Sequence, residues 1–329
     1  MKKLEEHRIL VLGWPVQPKQ EWVENYPYVT VERIYQEGLP RSKKRWMNAS
    51  FHSPRWLWNI DKLNPIHWYG AWRESVTEYD TVIVIDEIRG RDVFEYILEH
   101  NPSCRLCVFY DSPILPGSKR DPSHYRDLPI HFYTCDRKIA KDYNIEFATY
   151  FYVFSPYDFS MYVDRDKSDN VMDIFFLGEE KGDRLKTLSR LRDLFSQAGI
   201  RHDLRLVRKR HGRRYTKKEL AQTTNYMFYD EYIEHMKHSK VILELVSNGQ
   251  MGITQRPYEA LFFGKKLITT SEAVKQYPFY CTENILIIDI ENPPSKEKIK
   301  EFIYTPLKLV PDDIKKQFQF NAWLGRMLT

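Results

Sequence analysis

The stretch 241–270, VILELVSNGQMGITQRPYEALFFGKKLITT, limits the chain to an α/β architecture. An apolar run, Val241–Leu245, ends in a loop holding Asn248, Gly249 and Gly252. Helical spacing follows over Thr254–Phe263, with Gly264 where a C-cap belongs, and then a second strand-like run, Lys266–Thr270. This is a strand–loop–helix–strand unit. The turn into its helix carries Thr254, Gln255 and Arg256, with Glu259 about one turn later. A helix N-terminus favours anions, so Arg256 there suits a phosphate. Glu259 is placed to accept hydrogen bonds from a ribose or sugar hydroxyl. Together they point to a nucleotide-type ligand.

The same rhythm runs through the rest of the chain. Strands are expected at Arg8–Leu12, Tyr28–Ile34, Thr81–Ile85, Arg105–Tyr110 and Ile130–Thr134, with helical patterns at Gly70–Thr77 and Arg91–His100. The segment 151–169, rich in aromatics and then in charge, interrupts it. The pattern restarts with VMDIFFLG from Val171, a helix Arg184–Ala198 and a strand His202–Val207. A helix Tyr229–His238, a strand Asn284–Ile290 and an amphipathic helix Asp312–Met327 complete it. Strands alternating with helices imply parallel sheets with crossover helices. The boundaries expected are a first α/β domain over 1–155, a linker over 156–169, a second domain over 170–305 and a terminal helix over 306–329. Two such halves place a ligand cleft between them, beyond the carboxyl ends of the strands.

Bulk properties exclude several classes. At 329 residues, 42% hydrophobic and 29% charged, the chain is neither disordered nor too small for two cores. A net charge of +5 permits anionic ligands without demanding them. Cys104 and Cys107 have C-x-x-C spacing but lack a second ligand pair, so all four cysteines read as free thiols. The start, MKKLEEHRILVLGWP, has too short an apolar run for a signal peptide, and no stretch approaches a membrane span. A cytoplasmic protein is expected, with peripheral contact at the inner face of the cell membrane left open.

The residues that could carry chemistry sit at strand ends. Gly178 closes one strand, and Lys181, Gly182 and Arg184 surround the next helix start, with Asp183 as an acceptable N-cap. With Arg256 they read as a diphosphate cradle. Neither a Walker loop nor G-x-G-x-x-G is present, which weighs against an ATPase or a nicotinamide enzyme. Glu244, within the strand of the opening unit, either faces the cleft or is paired in the sheet. Asp86, Asp111 and Asp136 each follow a strand, and any could act as general base on an acceptor hydroxyl. Asp86 and Asp111 are the candidates of choice. Each could equally be a routine loop or capping residue. Asp164-Arg165-Asp166 resembles a D-x-D metal motif but lacks the apolar strand before it, so no essential metal is expected. Two basic clusters, Arg41–Trp46 and Arg208–Lys218, read by default as solvated loops. If either is functional, membrane or an anionic acceptor suits it better than nucleic acid.

The segment Tyr229 to Asp289 resembles bacterial glycosyltransferases of lipopolysaccharide and capsular polysaccharide biosynthesis, related to the GT-B superfamily. The matching features are YDEYIEHMKHSK, VILEL, GKKLITT and YPFYCTENILIID. A further match is the pattern of Gly249, Gln250, Gly252, Thr254, Arg256, Glu259 and Ala260. Weaker similarity covers YDTVIVID and IFFLGEEKGDRLKTL. The resemblance implies two Rossmann-like domains facing a central cleft, the second binding a nucleotide-sugar donor and the first an acceptor. It makes Thr254 and Arg256 phosphate contacts and Glu259 a ribose or sugar contact. One departure is Phe109-Tyr110-Asp111-Ser112, where a Trp-Asn pair is implied.

The expectation is thus a metal-independent glycosyltransferase that uses a nucleotide-sugar as co-substrate, without a cofactor, and a glycan or glycolipid as acceptor. The expected donor-binding set is Gly178, Lys181, Arg184, Gly252, Thr254, Arg256 and Glu259. Two other classes stand beside it. A fold of this kind that has lost turnover would bind nucleotide without transferring sugar. A nucleic-acid-binding protein using the Trp-rich basic segment would bind oligonucleotides in a salt-sensitive way.

Overall fold

The computed structural model describes residues 3–13, 25–152, 172–208, 214–225, 227–246 and 253–329. The chain divides into two compact units: residues 1–154 with 319–329, and residues 155–318.

The first unit is a parallel sheet of β1 (Ile9–Leu12), β2 (Val29–Glu32), β3 (Thr81–Ile85), β4 (Arg105–Tyr110), β5 (Ile130–Thr134) and β6 (Glu146–Phe147). Its strand order is β2-β1-β3-β4-β5-β6, every pair parallel. Crossovers contain α1 (Arg41–Ser50), α2 (Trp72–Ser75), α3 (Asp92–His100) and α4 (Arg137–Tyr143). β1 and β3 are unbroken apolar runs because both faces are covered. Val82, Val84, Leu106, Val108 and Tyr110 face a core shared with Val93, Phe94 and Ile97 of α3. Trp72 anchors that side, its indole Nε1 donating to the Ile34 carbonyl at 2.9 Å.

The second unit contains β7 (Met172–Glu179), α5 (Arg184–Gln197), β8 (His202–Val207), α6 (Lys217–Leu220), β9 (Thr223–Thr224) and α7 (Tyr229–Lys237). It continues with β10 (Ser239–Glu244), α8 (Arg256–Phe262), β11 (Lys266–Thr269), β12 (Ile285–Ile287), α9 (Lys296–Tyr304) and α10 (Asp312–Lys316). The sheet order is β12-β11-β10-β7-β8-β9, again all parallel. Numbered within the unit and read from the β9 edge, this is the doubly wound order 3-2-1-4-5-6, whose switch point lies between the first and fourth strands. Here those strands are β7 and β10. Gly264, with φ 58°, closes α8 in the left-handed conformation expected of a C-cap glycine.

A last helix, α11 (Phe320–Met327), belongs to the first unit. Trp323 is wholly buried there, edge-on to Phe109 at 5.3 Å and against Phe151 at 4.7 Å. The two Rossmann-like α/β halves read from the sequence are therefore present.

Several local expectations need correction. The single helix expected over Asp312–Met327 is two, α10 and α11. Phe318 packs with Tyr258 and Phe279 in the second unit, whereas Phe320 and Trp323 pack in the first. Extended backbone at Gln319 (ψ 160°) separates them. The Arg41–Trp46 cluster is not a loop but the start of α1, which follows Pro40 and buries Met47 and Ser50. Asp183 occupies the N-cap of α5 without making a side-chain cap bond. The helix expected over Gly70–Thr77 shortens to α2 followed by a 3-10 turn, Val76–Glu78. Gly252, Asn248, Gly249, the Asp164–Asp166 triplet and the whole 156–169 linker fall outside the described residues, as does part of the Arg208–Lys218 cluster.

Candidate functional site

Two groups of side chains collect at the carboxyl edges of the sheets, one in each unit.

In the second unit the group straddles the switch point. β7 leads through residues 180–183 into α5, and Arg184 at the start of α5 reaches across to the end of β10. Its Nη2 donates to the Leu245 carbonyl at 2.9 Å and its Nη1 to the Glu179 carbonyl at 2.8 Å. Arg256, at the start of the helix after β10, reaches the other way. Its Nη2 donates to the Leu177 carbonyl of β7 at 3.0 Å. The two guanidiniums thus cross-brace the ends of adjacent strands. Gly178 permits this approach: a Cβ there would lie 2.8 Å from the Phe176 ring and 3.4 Å from Arg184 Nη1. Burial lowers the Arg184 pKa, and the neighbouring positive charge of Arg256 lowers it further, against the pull of Glu179.

Arg256 is held by Glu259. Its Nη1 lies 2.8 and 2.6 Å from the two carboxylate oxygens. Glu259 is fully buried and also accepts from Tyr232 Oη at 2.5 Å and Tyr229 Oη at 3.2 Å. These tyrosines sit one turn apart on α7. The Arg256 guanidinium also lies 4.2 Å from the centre of the Tyr232 ring. Burial would lower the Arg256 pKa, but Glu259 and the tyrosines reverse that and raise it. The carboxylate of Glu259 is therefore directed at Arg256 and two phenols.

Glu244 also belongs to this group. It is 2% exposed at the end of β10. Thr254 Oγ1 donates to it at 2.5 Å, and Thr269 Oγ1 at the end of β11 donates to its other oxygen. Burial raises its pKa, partly offset by those two hydroxyls and by Arg256. Thr254 in turn accepts from the Arg256 backbone N–H at 3.1 Å. Of the two options for Glu244, the structure places it within this network. Lys181 is placed apart from it: its Nζ pairs with Glu179 at 3.0 Å, both side chains well exposed.

In the first unit, Asp86 and Asp111 are the first residues beyond β3 and β4, which run side by side in parallel register. Asp86 has φ 53°, a left-handed conformation uncommon for a non-glycine residue. Ser112 Oγ and Arg120 Nη2 both donate to its carboxylate. Arg120 is fixed by carbonyls of Pro113 and Ser112 at 3.1 and 3.2 Å. Burial raises the Asp111 pKa strongly, and the charge of Asp86 and a hydrogen bond to it raise it further. Arg120 and Tyr150, whose Oη lies 3.5 Å from Asp111 Oδ2, oppose the rise only in part. Next to Asp86, Glu87 lines a cavity of about 290 Å³ with Tyr35, Lys44 and Arg89. Its Oε2 is buried without a hydrogen-bond partner, and burial raises its pKa.

Asp136, the third acidic residue after a strand, is a cap. Its Oδ1 accepts from the backbone N–H groups of Lys138 and Ile139 at 2.8 and 3.2 Å. Arg120, Ser112, Tyr150, Tyr229, Tyr232 and Thr269 were not among the sequence candidates. Only the i, i+3 spacing of Tyr229 and Tyr232 offered a signal. Among the described residues no group of three or more His, Cys, Asp or Glu could hold a metal ion.

No protein-family model matches the chain, and no curated protein matches it by sequence. Several solved structures are similar in overall course. A UDP-GlcNAc 2-epimerase from Neisseria meningitidis, bound to UDP-GlcNAc, is 10% identical, with a TM-score of 0.49 over 97% of this chain and 98% of that one. The apo form of a lipopolysaccharide outer core galactosyltransferase, WaaB, is 12% identical, with a TM-score of 0.47 over 97% and 98%. AviGT4, a glycosyltransferase involved in avilamycin A biosynthesis, is 7% identical, with a TM-score of 0.46 over 98% of each chain. Likenesses of this order say nothing about ligand or activity.

Proposed function

We propose that the protein is a glycosyltransferase that moves a sugar from a nucleotide-sugar donor to a glycan or glycolipid. On the sequence resemblance, the acceptor is a lipopolysaccharide, a capsule or a related polysaccharide. The observation that carries this reading is the crossed pair Arg184 and Arg256 at the β7/β10 switch point. Glu259 already counters Arg256, so the excess positive charge at that edge is that of Arg184, and a diphosphate is the anion such switch points take. As the sugar–phosphate bond breaks, the same guanidiniums would offset the charge gathering on the leaving phosphate, with no metal required.

The first unit supplies the acceptor side. In an inverting course the acceptor oxygen forms the new bond to the anomeric carbon and its proton passes to the Asp86–Asp111 pair. Burial gives Asp111 the raised proton affinity that suits that task. A retaining course needs no such base. The cavity beside Glu87 offers polar contacts for acceptor hydroxyls. A lipid-linked acceptor would further require peripheral contact with a membrane.

Donor turnover tests the reading. The protein is incubated with UDP-, GDP-, dTDP-, CMP- and ADP-sugars in the presence of EDTA, and release of the nucleotide is measured with and without glycan acceptors. Release from one nucleotide family, reduced about a hundredfold or more in Asp111→Asn, supports an inverting transferase. Binding of one family without release in any condition would make the protein a nucleotide-binding module instead.

A further inference from the structure

The segment 41–62 carries six Lys and Arg residues against Asp61 alone, a net +5 that equals the charge of the whole chain. The remainder sums to zero, although 208–218 holds a second run of seven Lys and Arg residues. Arg41, Lys43, Lys44 and Arg45 are all exposed, and none is ion-paired among the described residues. They crowd the first turns of α1, where cations oppose the helix dipole and no acidic residue offsets them. Local stability does not explain that arrangement.

Large apolar side chains accompany the charge. Trp46 is 45% exposed, Ile60 47% and Trp56 76%. In a core-forming helical turn they would be covered; here they stand in solvent. Local contacts join the pieces into one surface. Lys62 Nζ lies 5.6 Å from the centre of the Trp46 ring, and Trp58 Nε1 reaches the Ser53 hydroxyl at 3.1 Å. Ser53 in turn donates to the Leu63 carbonyl. Arg55 is the one cation drawn aside, towards Glu95.

We propose that this surface docks on an anionic lipid bilayer. Exposed tryptophans settle at the level of the headgroups, and a cluster of Lys and Arg is drawn to acidic lipid. Charge complementarity favours this partner over a neutral glycan, and the large apolar side chains favour it over a purely ionic ligand. The inference deepens the transferase reading, on which it rests for its role of meeting a membrane-borne acceptor. The contact itself is measured without reference to turnover.

The test is co-sedimentation of the full chain with vesicles of phosphatidylcholine, alone or mixed with phosphatidylglycerol. Binding is expected only to the mixed vesicles and is expected to weaken as salt rises. Lys43→Glu combined with Arg45→Glu lowers it by at least about tenfold. Trp46→Ser combined with Trp56→Ser lowers it too, at unchanged charge. Each altered side chain is exposed, so the variants keep the wild-type melting temperature and nucleotide-sugar response. Loss of vesicle binding with that response intact fits the proposal. Absence of vesicle binding, or binding unaltered in both variants, overturns it. Charge-dependent binding of oligonucleotides without vesicle binding assigns the surface to nucleic acid instead. A failed nucleotide response alongside specific vesicle binding would sink the transferase reading and leave this one standing.

Discussion

Glu259 has no solvent to fall back on: Arg256 and two tyrosine hydroxyls are its hydrogen-bond partners among the described residues, and it is fully buried. Arg256→Ala is therefore expected to destabilise the fold by about 3 kcal/mol, since an unpaired buried carboxylate remains. Arg256→Ala with Glu259→Gln should recover much of that loss, as measured by urea unfolding. If the double variant is no more stable than the single one, the pair is not coupled as described. Asp111 gives a different signature. Its pKa is raised on folding, so its contribution is fully present below the unfolded value of about 4 and is lost as pH rises through the folded value. Asp111→Asn removes the ionisation. Its melting temperature should exceed wild type at pH 8, and the gap should close near pH 4. A variant less stable than wild type across the whole range would contradict this. These two carboxylates also mark what a sequence can reveal. Arg256 and Glu259 stood out by their place at a helix start, but that each is the other's partner depends on side-chain packing that spacing does not report.

At the level of elements, three aspartates follow strands and only their loops distinguish them. Asp136 caps α4 through two backbone N–H groups. Asp136→Ala should lower stability by about 1 kcal/mol and leave donor turnover unchanged. A large loss of turnover at normal stability would place Asp136 in the chemistry after all. The strands were legible because a parallel sheet covered on both faces demands unbroken apolar runs, and β1, β3 and β4 have them. The two-residue edge strands β6 and β9 have no such demand and left no signal. The break between α10 and α11 was equally hidden. Helical periodicity continues through residues 317–319, and only the burial of Phe318 and Phe320 in separate cores interrupts it.

On the scale of the whole molecule, strand order does what no single motif does. Residues 184 and 256 are 72 positions apart in sequence. Winding the second sheet in both directions from β7 brings them to the same edge. Arg184 could be named as a phosphate candidate from its position at a helix start, but its exchange of carbonyl contacts with Arg256 follows only from β7 and β10 being neighbours. The first unit applies the same logic, with β3 and β4 placing Asp86 beside Asp111. One measurement bears on this account most directly: the melting temperature of wild type and Arg184→Gln, with and without each nucleotide-sugar, in EDTA. A ligand at about a hundred times its Kd adds about 2.7 kcal/mol to the folded state. The account predicts a clear rise in wild type with one nucleotide family. It also predicts that Arg184→Gln melts cooperatively and loses most of the rise. No rise with any nucleotide-sugar, or an equal rise in the variant, would contradict it.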